Sequence, residues 1–113
     1  MKPTTKHIET LATEIINYCK NHEFGDTIVY YNSKRTLIDL NGNTQTENAD
    51  VHDYLKYCGD ILSVSFEGDM YDIFNYNFGD WCQQYIDEFN SIIGKYGLYY
   101  EMGNNWNLSL YEI

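Results

Sequence analysis

Apolar residues near the start of the chain recur with the period of an α-helix. They are spaced three and four residues apart, which puts them on one side of a helix, and they are Ile8, Leu11, Ala12, Ile15, Ile16 and Cys19. Thr4 and Thr5 stand before this pattern, and a threonine hydroxyl is a good acceptor for the free N–H groups of a first helical turn. The pattern predicts a helix from Thr5 to His22 with its apolar side facing a core.

Two short segments rich in β-branched and aromatic residues follow this helix. Residues 27–31 and 36–40 flank a polar turn at 32–35 and predict a hairpin. Residues 41–48 contain no apolar period, and we interpret them as a polar loop.

Two further segments have the alternation typical of strands. In residues 61–66, three apolar side chains alternate with two serines, so the segment predicts a strand with one apolar face. Residues 98–102 and 106–111 surround a Gly-Asn-Asn turn and predict a final hairpin, in which Trp106 begins the apolar face of the second strand.

Helical spacing returns twice in the second half of the chain. Residues 50–58 place apolar side chains on one face and are followed by Gly59, a residue suited to the end of a helix. A third helix is predicted after Asp80, a good N-cap residue. Its wide apolar stripe is Trp81, Cys82, Tyr85, Ile86, Phe89, Ile92 and Ile93.

Residues 70–75 are ambiguous between the two periods. Met70, Ile73 and Phe74 also fit one turn of a helix. We interpret the segment as a strand that returns beside residues 61–66, because a hairpin needs a second strand.

Together these elements predict one α+β domain over residues 1–113, with about three helices on one face of a mostly antiparallel sheet of up to six strands. A short tyrosine–cysteine or tyrosine–glycine junction stands between helix and strand at three places, near residues 18, 57 and 96. These junctions suggest a helix–hairpin unit that is used three times.

Composition supports a folded protein. The chain has 113 residues, 43% of them hydrophobic, and twelve tyrosines, which is enough apolar material for one core. No apolar run is long enough for a signal peptide or a membrane span, so we expect a cytoplasmic protein. Cys19, Cys58 and Cys82 are odd in number and far apart, which favours reduced thiols over a disulfide framework.

The acidic residues are concentrated in one part of the chain. Residues 1–35 contain five Lys and Arg against four Asp and Glu, a net charge of +1. Residues 36–113 contain two Lys against thirteen Asp and Glu, a net charge of −11. Such a surface repels phosphate and attracts basic partners. We therefore expect a basic protein as partner, no direct binding of nucleic acid or membrane, and a monomer, because two acidic chains repel each other.

Catalytic and metal-binding motifs are not evident in the sequence. The segment Asp50-Val51-His52-Asp53 holds possible ligands, but positions i, i+2 and i+3 of a helix do not converge on one metal ion. A cysteine–histidine pair could form only through folding. We therefore expect neither a cofactor nor a metal, and not an enzyme.

Carboxylates alternate with aromatic rings in the middle of the chain, and both residue types are useful at protein interfaces. The candidate partner-binding residues are Asp60, Glu67, Asp69, Tyr71, Asp72, Tyr76, Asp80, Asp87 and Glu88. The alternative is that the charges only solvate the surface and the rings fill the core.

Three functions fit this composition. The first is an inhibitor of the anti-restriction or anti-CRISPR type, which mimics the charge of nucleic acid and blocks a basic DNA-acting protein. The second is an immunity or antitoxin-like protein that caps a basic toxin through acidic and aromatic contacts. The third is a small enzyme or ligand-binding domain whose site forms only in the folded chain.

Overall fold

The computed structural model describes residues 3–113, which form three α-helices and six β-strands. The helices are α1 (Thr5–Asn21), α2 (Asp69–Phe74) and α3 (Gln83–Gly94), and the strands are β1 (Thr27–Tyr31), β2 (Lys34–Ile38), β3 (Thr44–Asn48), β4 (Ser63–Phe66), β5 (Leu98–Asn104) and β6 (Asn107–Glu112). Short 3-10 turns occupy Val51–Asp53 and Gly79–Cys82. The predicted α+β fold is confirmed.

The six strands form one antiparallel sheet in the order β3-β2-β1-β4-β6-β5. At its centre, Val29 of β1 lies opposite Thr36 of β2 on one side and Val64 of β4 on the other. The turn between β1 and β2 is only Asn32-Ser33, both with positive φ, which is the backbone of a tight two-residue hairpin. Strand β2 therefore begins earlier than the sequence predicts.

The three helices pack against the sheet. Helix α1 begins as predicted, with the Thr4 hydroxyl accepting a hydrogen bond from the His7 N–H (3.2 Å), and it lies against β1 and α3. Phe89 of α3 is completely buried and has its ring near the rings of Tyr18, Phe74 and Tyr100. These contacts join all three helices and β5 in one core.

Residues 70–75 are helical, so their interpretation as a strand is wrong. Strand β4 already pairs with β1 and β6, and no edge remains for a returning strand. The chain instead turns at Gly68, where a Cβ atom would lie 2.4 Å from the backbone oxygen of Gly25. Met70, Ile73 and Phe74 then bury one face of α2. As a result, a helix–hairpin unit is found at the two ends of the chain, whereas α2 follows a single strand.

Two other segments differ from their predictions. Part of the predicted loop at 41–48 is the edge strand β3, whose side chains are mostly exposed, so that no apolar period marks it. It is joined to β2 by a hydrogen bond between the Thr36 and Thr46 hydroxyls (2.8 Å) and by the Arg35–Glu47 ion pair (3.0 Å). The predicted helix over 50–58 is reduced to the 3-10 turn Val51–Asp53, which lies within an otherwise irregular segment, residues 49–62.

This irregular segment covers the face of the sheet that lies opposite the helices. Its backbone is held by polar side chains of β6: Asn107 donates a hydrogen bond to the Tyr57 carbonyl (2.8 Å), and the Ser109 hydroxyl accepts one from the Gly59 N–H (3.0 Å). Leu55 is buried beneath it. Because sheet side chains satisfy these backbone groups, the segment does not need helical hydrogen bonds.

The start of the third helix is also different. Helix α3 begins at Gln83 after a 3-10 turn, and Asp80 lies inside that turn instead of capping the helix. Trp81 is 55% exposed, so its place in the buried stripe is wrong. Trp106 lies in the turn before β6 and is also exposed.

Candidate functional site

The segment from residue 57 to residue 94 contains seven carboxylates and no Lys or Arg. These seven are the carboxylates predicted to bind a partner. The structure separates them into three places, and the largest group lies beside three exposed aromatic rings.

Three aromatic side chains project from the connection between α2 and α3 and from the following turn. Tyr76 is 47% exposed, Phe78 is 53% exposed and Trp81 is 55% exposed. A contiguous group of exposed rings often marks a site where a partner binds. Together with the neighbouring carboxylates they form what we call the acidic aromatic surface, which consists of Asp72, Tyr76, Phe78, Asp80, Trp81, Asp87 and Glu88.

Hydrogen bonds fix one side of this surface. The Tyr76 hydroxyl donates to Gln83 Oε1 (2.9 Å), and the Gln83 amide donates to Asp87 Oδ1 (2.8 Å). Asn77 donates to Asp72 Oδ1 (2.8 Å). Both carboxylates are therefore held in place while they keep free lone pairs for a partner.

Ring contacts fix the other side. Phe78 and Trp81 have ring centroids 6.1 Å apart, and Trp81 lies 4.9 Å from Tyr85 in an edge-to-face arrangement. His22, which follows the last residue of α1, contacts Tyr85 and places Nε2 3.0 Å from Glu88 Oε1. The exposed rings thus rest on a half-buried tyrosine that is anchored to α1, which limits the entropy they lose on binding.

Glu67 and Asp69 occupy the second place, at the turn before α2. The Glu67 N–H donates to the backbone oxygen of Asp26 (3.1 Å), so a third carboxylate comes close to this turn. Asp69 and Asp72 are three residues apart on α2, and side chains at that spacing are neighbours on a helix surface. The negative charge therefore continues from the acidic aromatic surface along α2.

Asp60 occupies the third place, in the irregular segment on the opposite face of the sheet. Its Oδ1 lies 3.4 Å from His52 Nε2.

Tyr71 is half-buried and packs against the core, so its ring is less available than that of Tyr76. Five of the nine predicted residues are therefore brought together, namely Asp72, Tyr76, Asp80, Asp87 and Glu88.

Phe78 and Trp81 belong to this surface although neither was among the predicted binding residues. The helical period assigned Trp81 to the core, because it stands four residues before Tyr85. The signal that marks both rings is a glycine within two residues of each, Gly79, which has a φ of 70° and begins the 3-10 turn.

Basic side chains elsewhere are held by carboxylates outside the acidic aromatic surface. The pairs are Lys34 with Glu9, Arg35 with Glu47 and Lys95 with Glu14. These pairs neutralise charge on α1, β2 and β3 and leave the acidic aromatic surface strongly negative.

Comparisons with known proteins add no function. The sequence matches no family model, and no curated protein or solved structure is significantly similar to it. Within residues 3–113, no helix is long and apolar enough to cross a membrane, and no three His, Cys, Asp or Glu side chains are arranged to hold a metal ion.

Proposed function

We propose that this chain is a non-enzymatic protein-binding domain that binds a basic protein through the acidic aromatic surface. The observation that carries the proposal is the exposure of Tyr76, Phe78 and Trp81 beside four carboxylates. Trp and Tyr are enriched among the residues that contribute most to the affinity of protein complexes.

The two residue types have different roles in this proposal. Carboxylates on a surface of one sign attract a basic partner over a distance and increase the association rate. Buried rings then slow dissociation, because removing apolar area from water contributes about 25 cal/mol per Å² before the costs of binding. A partner with a basic rim and an apolar pocket would match both.

The compact arrangement favours a protein that caps a basic partner, as an immunity or antitoxin-like protein does. Three anchoring rings lie within six residues of sequence, from Tyr76 to Trp81. Phosphate contacts require charge but not apolar anchors. The rings are therefore better explained by a protein pocket than by imitation of nucleic acid.

Mimicry of nucleic-acid charge is the second candidate, and one observation favours it. Glu67, Asp69 and Asp72 follow one another from the turn into α2, which extends the negative charge beyond the rings. An inhibitor of this kind would compete with DNA for a DNA-acting protein.

Affinity capture from a lysate of the source organism tests the proposal when matched variants are compared. The first variant neutralises three carboxylates of the acidic aromatic surface (Asp80→Asn, Asp87→Asn and Glu88→Gln). The control neutralises three exposed carboxylates elsewhere (Asp53→Asn, Glu101→Gln and Glu112→Gln), so that both variants change the net charge equally. A third variant, Phe78→Ser with Trp81→Ser, removes two rings and keeps the charge.

We expect the wild type and the control to retain the same basic protein, and both other variants to lose it. The charge variant should lose it through slower association, and the ring variant through faster dissociation. Competition by DNA would favour the mimic over the capping protein. Equal loss in the control would show that only net charge matters and would refute the surface as the site.

A further inference from the structure

The irregular segment that covers the second face of the sheet brings a thiol, an imidazole and a carboxylate together. Cys58 Sγ lies 3.4 Å from His52 Nδ1, and His52 Nε2 lies 3.4 Å from Asp60 Oδ1. This arrangement has the three parts of an activated nucleophile, in which a base contacts the nucleophile and a third group orients the base. It lies on the other face of the sheet from the helices and from the acidic aromatic surface.

Cys58 differs from the other two cysteines in its exposure. Cys19 and Cys82 are completely buried in the core. Cys58 is partly exposed and borders an open groove of about 430 Å³, which is also lined by Lys56, Tyr57, Glu101, Met102, Gly103 and Tyr111. His52 and Asp60 border an adjoining groove of about 270 Å³. A small molecule therefore has access to the sulfur from the first groove.

We propose that Cys58 is a nucleophilic thiol that undergoes exchange with small, uncharged or cationic disulfides, with His52 as its general base and Asp60 as the residue that positions His52. The product is a mixed disulfide at Cys58, with the added group in the open groove.

The chemistry follows from the contacts. The Asp60 carboxylate lies within ion-pair distance of His52 Nε2 (3.4 Å) and favours a ring proton on that nitrogen, which leaves Nδ1 free to accept the thiol proton. The sulfur attacks one sulfur of the disulfide, a new S–S bond forms, and the old S–S bond breaks. The leaving sulfur takes the proton back from the imidazolium, so the small disulfide is the oxidant and one small thiol is released.

Proton removal is required because the resting group is a neutral thiol. Burial and then the carboxylates of Asp60 and Asp50 raise the pKa of Cys58. The thiol also lies 3.5 Å from the Leu55 carbonyl, a second acceptor for its proton. A base in contact with the sulfur is therefore the feature that would make this thiol react at neutral pH.

Local charge decides which disulfides react. Asp50 and Asp60 act on the thiol, and Glu101 lines the same groove. Lys56 also lines that groove, and Lys34 lines the groove beside Asp60, where it is paired with Glu9. An anionic disulfide such as oxidised glutathione is repelled by this field, and a cationic one such as cystamine is attracted.

The test is the reaction of the intact chain with cystamine, 2-hydroxyethyl disulfide and oxidised glutathione, followed by intact mass and peptide mapping. We expect the adduct on Cys58 before Cys19 or Cys82 and none on Cys58 in Cys58→Ser. Cystamine should react about tenfold faster than oxidised glutathione at low salt, with a smaller ratio at high salt. First modification of a buried cysteine, or equal rates for the two charged probes, would contradict the proposal.

Two variants test the roles of the partners with the neutral probe. His52→Gln should slow the reaction about tenfold at pH 7 and make its rate rise about tenfold per pH unit, as expected for an unassisted thiol. Asp60→Asn should also slow it, by about threefold, because the imidazole loses its orientation. The two possible roles of Asp60 predict opposite changes in rate. If Asp60 acted only through its charge, it would raise the thiol pKa, and its removal would speed the reaction. An unchanged pH profile in His52→Gln, or a faster reaction in Asp60→Asn, would overturn the assignment.

Discussion

Replacing Phe89 by alanine tests the packing that joins the three helices to the sheet. Phe89 has no exposed surface, and its ring centroid lies 5.6 Å from Tyr18, 5.3 Å from Phe74 and 5.8 Å from Tyr100. Truncation removes these contacts and leaves a cavity between α1, α2, α3 and β5. We therefore expect the free energy of unfolding to fall by about 4 kcal/mol, within the range for buried phenylalanines.

The corresponding change in Tm follows from the length of the chain. With an unfolding entropy of about 2.1 cal/mol/K per residue, 113 residues give about 0.24 kcal/mol/K. A loss of about 4 kcal/mol then lowers Tm by about 17 °C. Phe89→Leu, which keeps most of the volume, should cost less than about 1.5 kcal/mol and serves as a variant that still folds.

The assay is urea and thermal unfolding followed by far-UV circular dichroism, with Trp81→Ala as the matched control. Trp81 is 55% exposed and contacts Tyr85 and Phe78, so its truncation should cost about 1 kcal/mol. The two rings belong to the same predicted apolar stripe, and only the structure separates them. A larger loss in Trp81→Ala than in Phe89→Ala would refute the assignment of one ring to the core and the other to the surface.

Two further predictions concern stability. Hydrogen bonds from Lys95 and then from Tyr96 lower the pKa of Glu14 in the folded protein. The ionised carboxylate therefore stabilises the fold at pH values above its unfolded pKa of about 4.5. This stabilisation is lost as the pH falls through the lower pKa of the folded state. Glu14→Gln should remove this pH-dependent part of the stability. If Tm depended on pH in the same way in the wild type and in Glu14→Gln, the assignment would be contradicted. Gly94→Ala in α3 should raise the free energy of unfolding by about 0.5–1 kcal/mol, because open space surrounds the new Cβ. Gly68→Ala should lower it, since the Cβ would lie 2.4 Å from a backbone oxygen. A lower Tm in Gly94→Ala, or a higher Tm in Gly68→Ala, would count against this packing.

Local patterns are sufficient where apolar and polar positions recur with a regular period. The predicted bounds of helix α1 and strand β4 agree with the structure to within two residues at each end, because their periods of 3.6 and 2 are visible in the sequence. The α+β class follows from the same patterns. Strand β3 could not be found in this way, because an edge strand with mostly exposed side chains has no apolar period.

The candidate site was only partly predictable, for a similar reason. The acidic segment is visible in the composition. Of the seven carboxylates and two tyrosines predicted from it, four carboxylates and Tyr76 lie in the acidic aromatic surface. The exposure of Trp81 depends on where α3 begins, and the 3-10 turn before Gln83 moves that ring out of the helical stripe. A periodic pattern cannot anticipate such a change of helix type.

The sequence by itself determined the number and period of most elements and the concentration of negative charge after residue 35. The tertiary structure decided which segments pair as strands and which pack against each other. Residues 70–75 are helical because β4 already has a strand on each side, and residues 49–62 are irregular because side chains of β6 bind their backbone. The same segment brings Cys58 to His52. Such contacts join residues far apart in the chain or unrelated by any period, so no local pattern contains them.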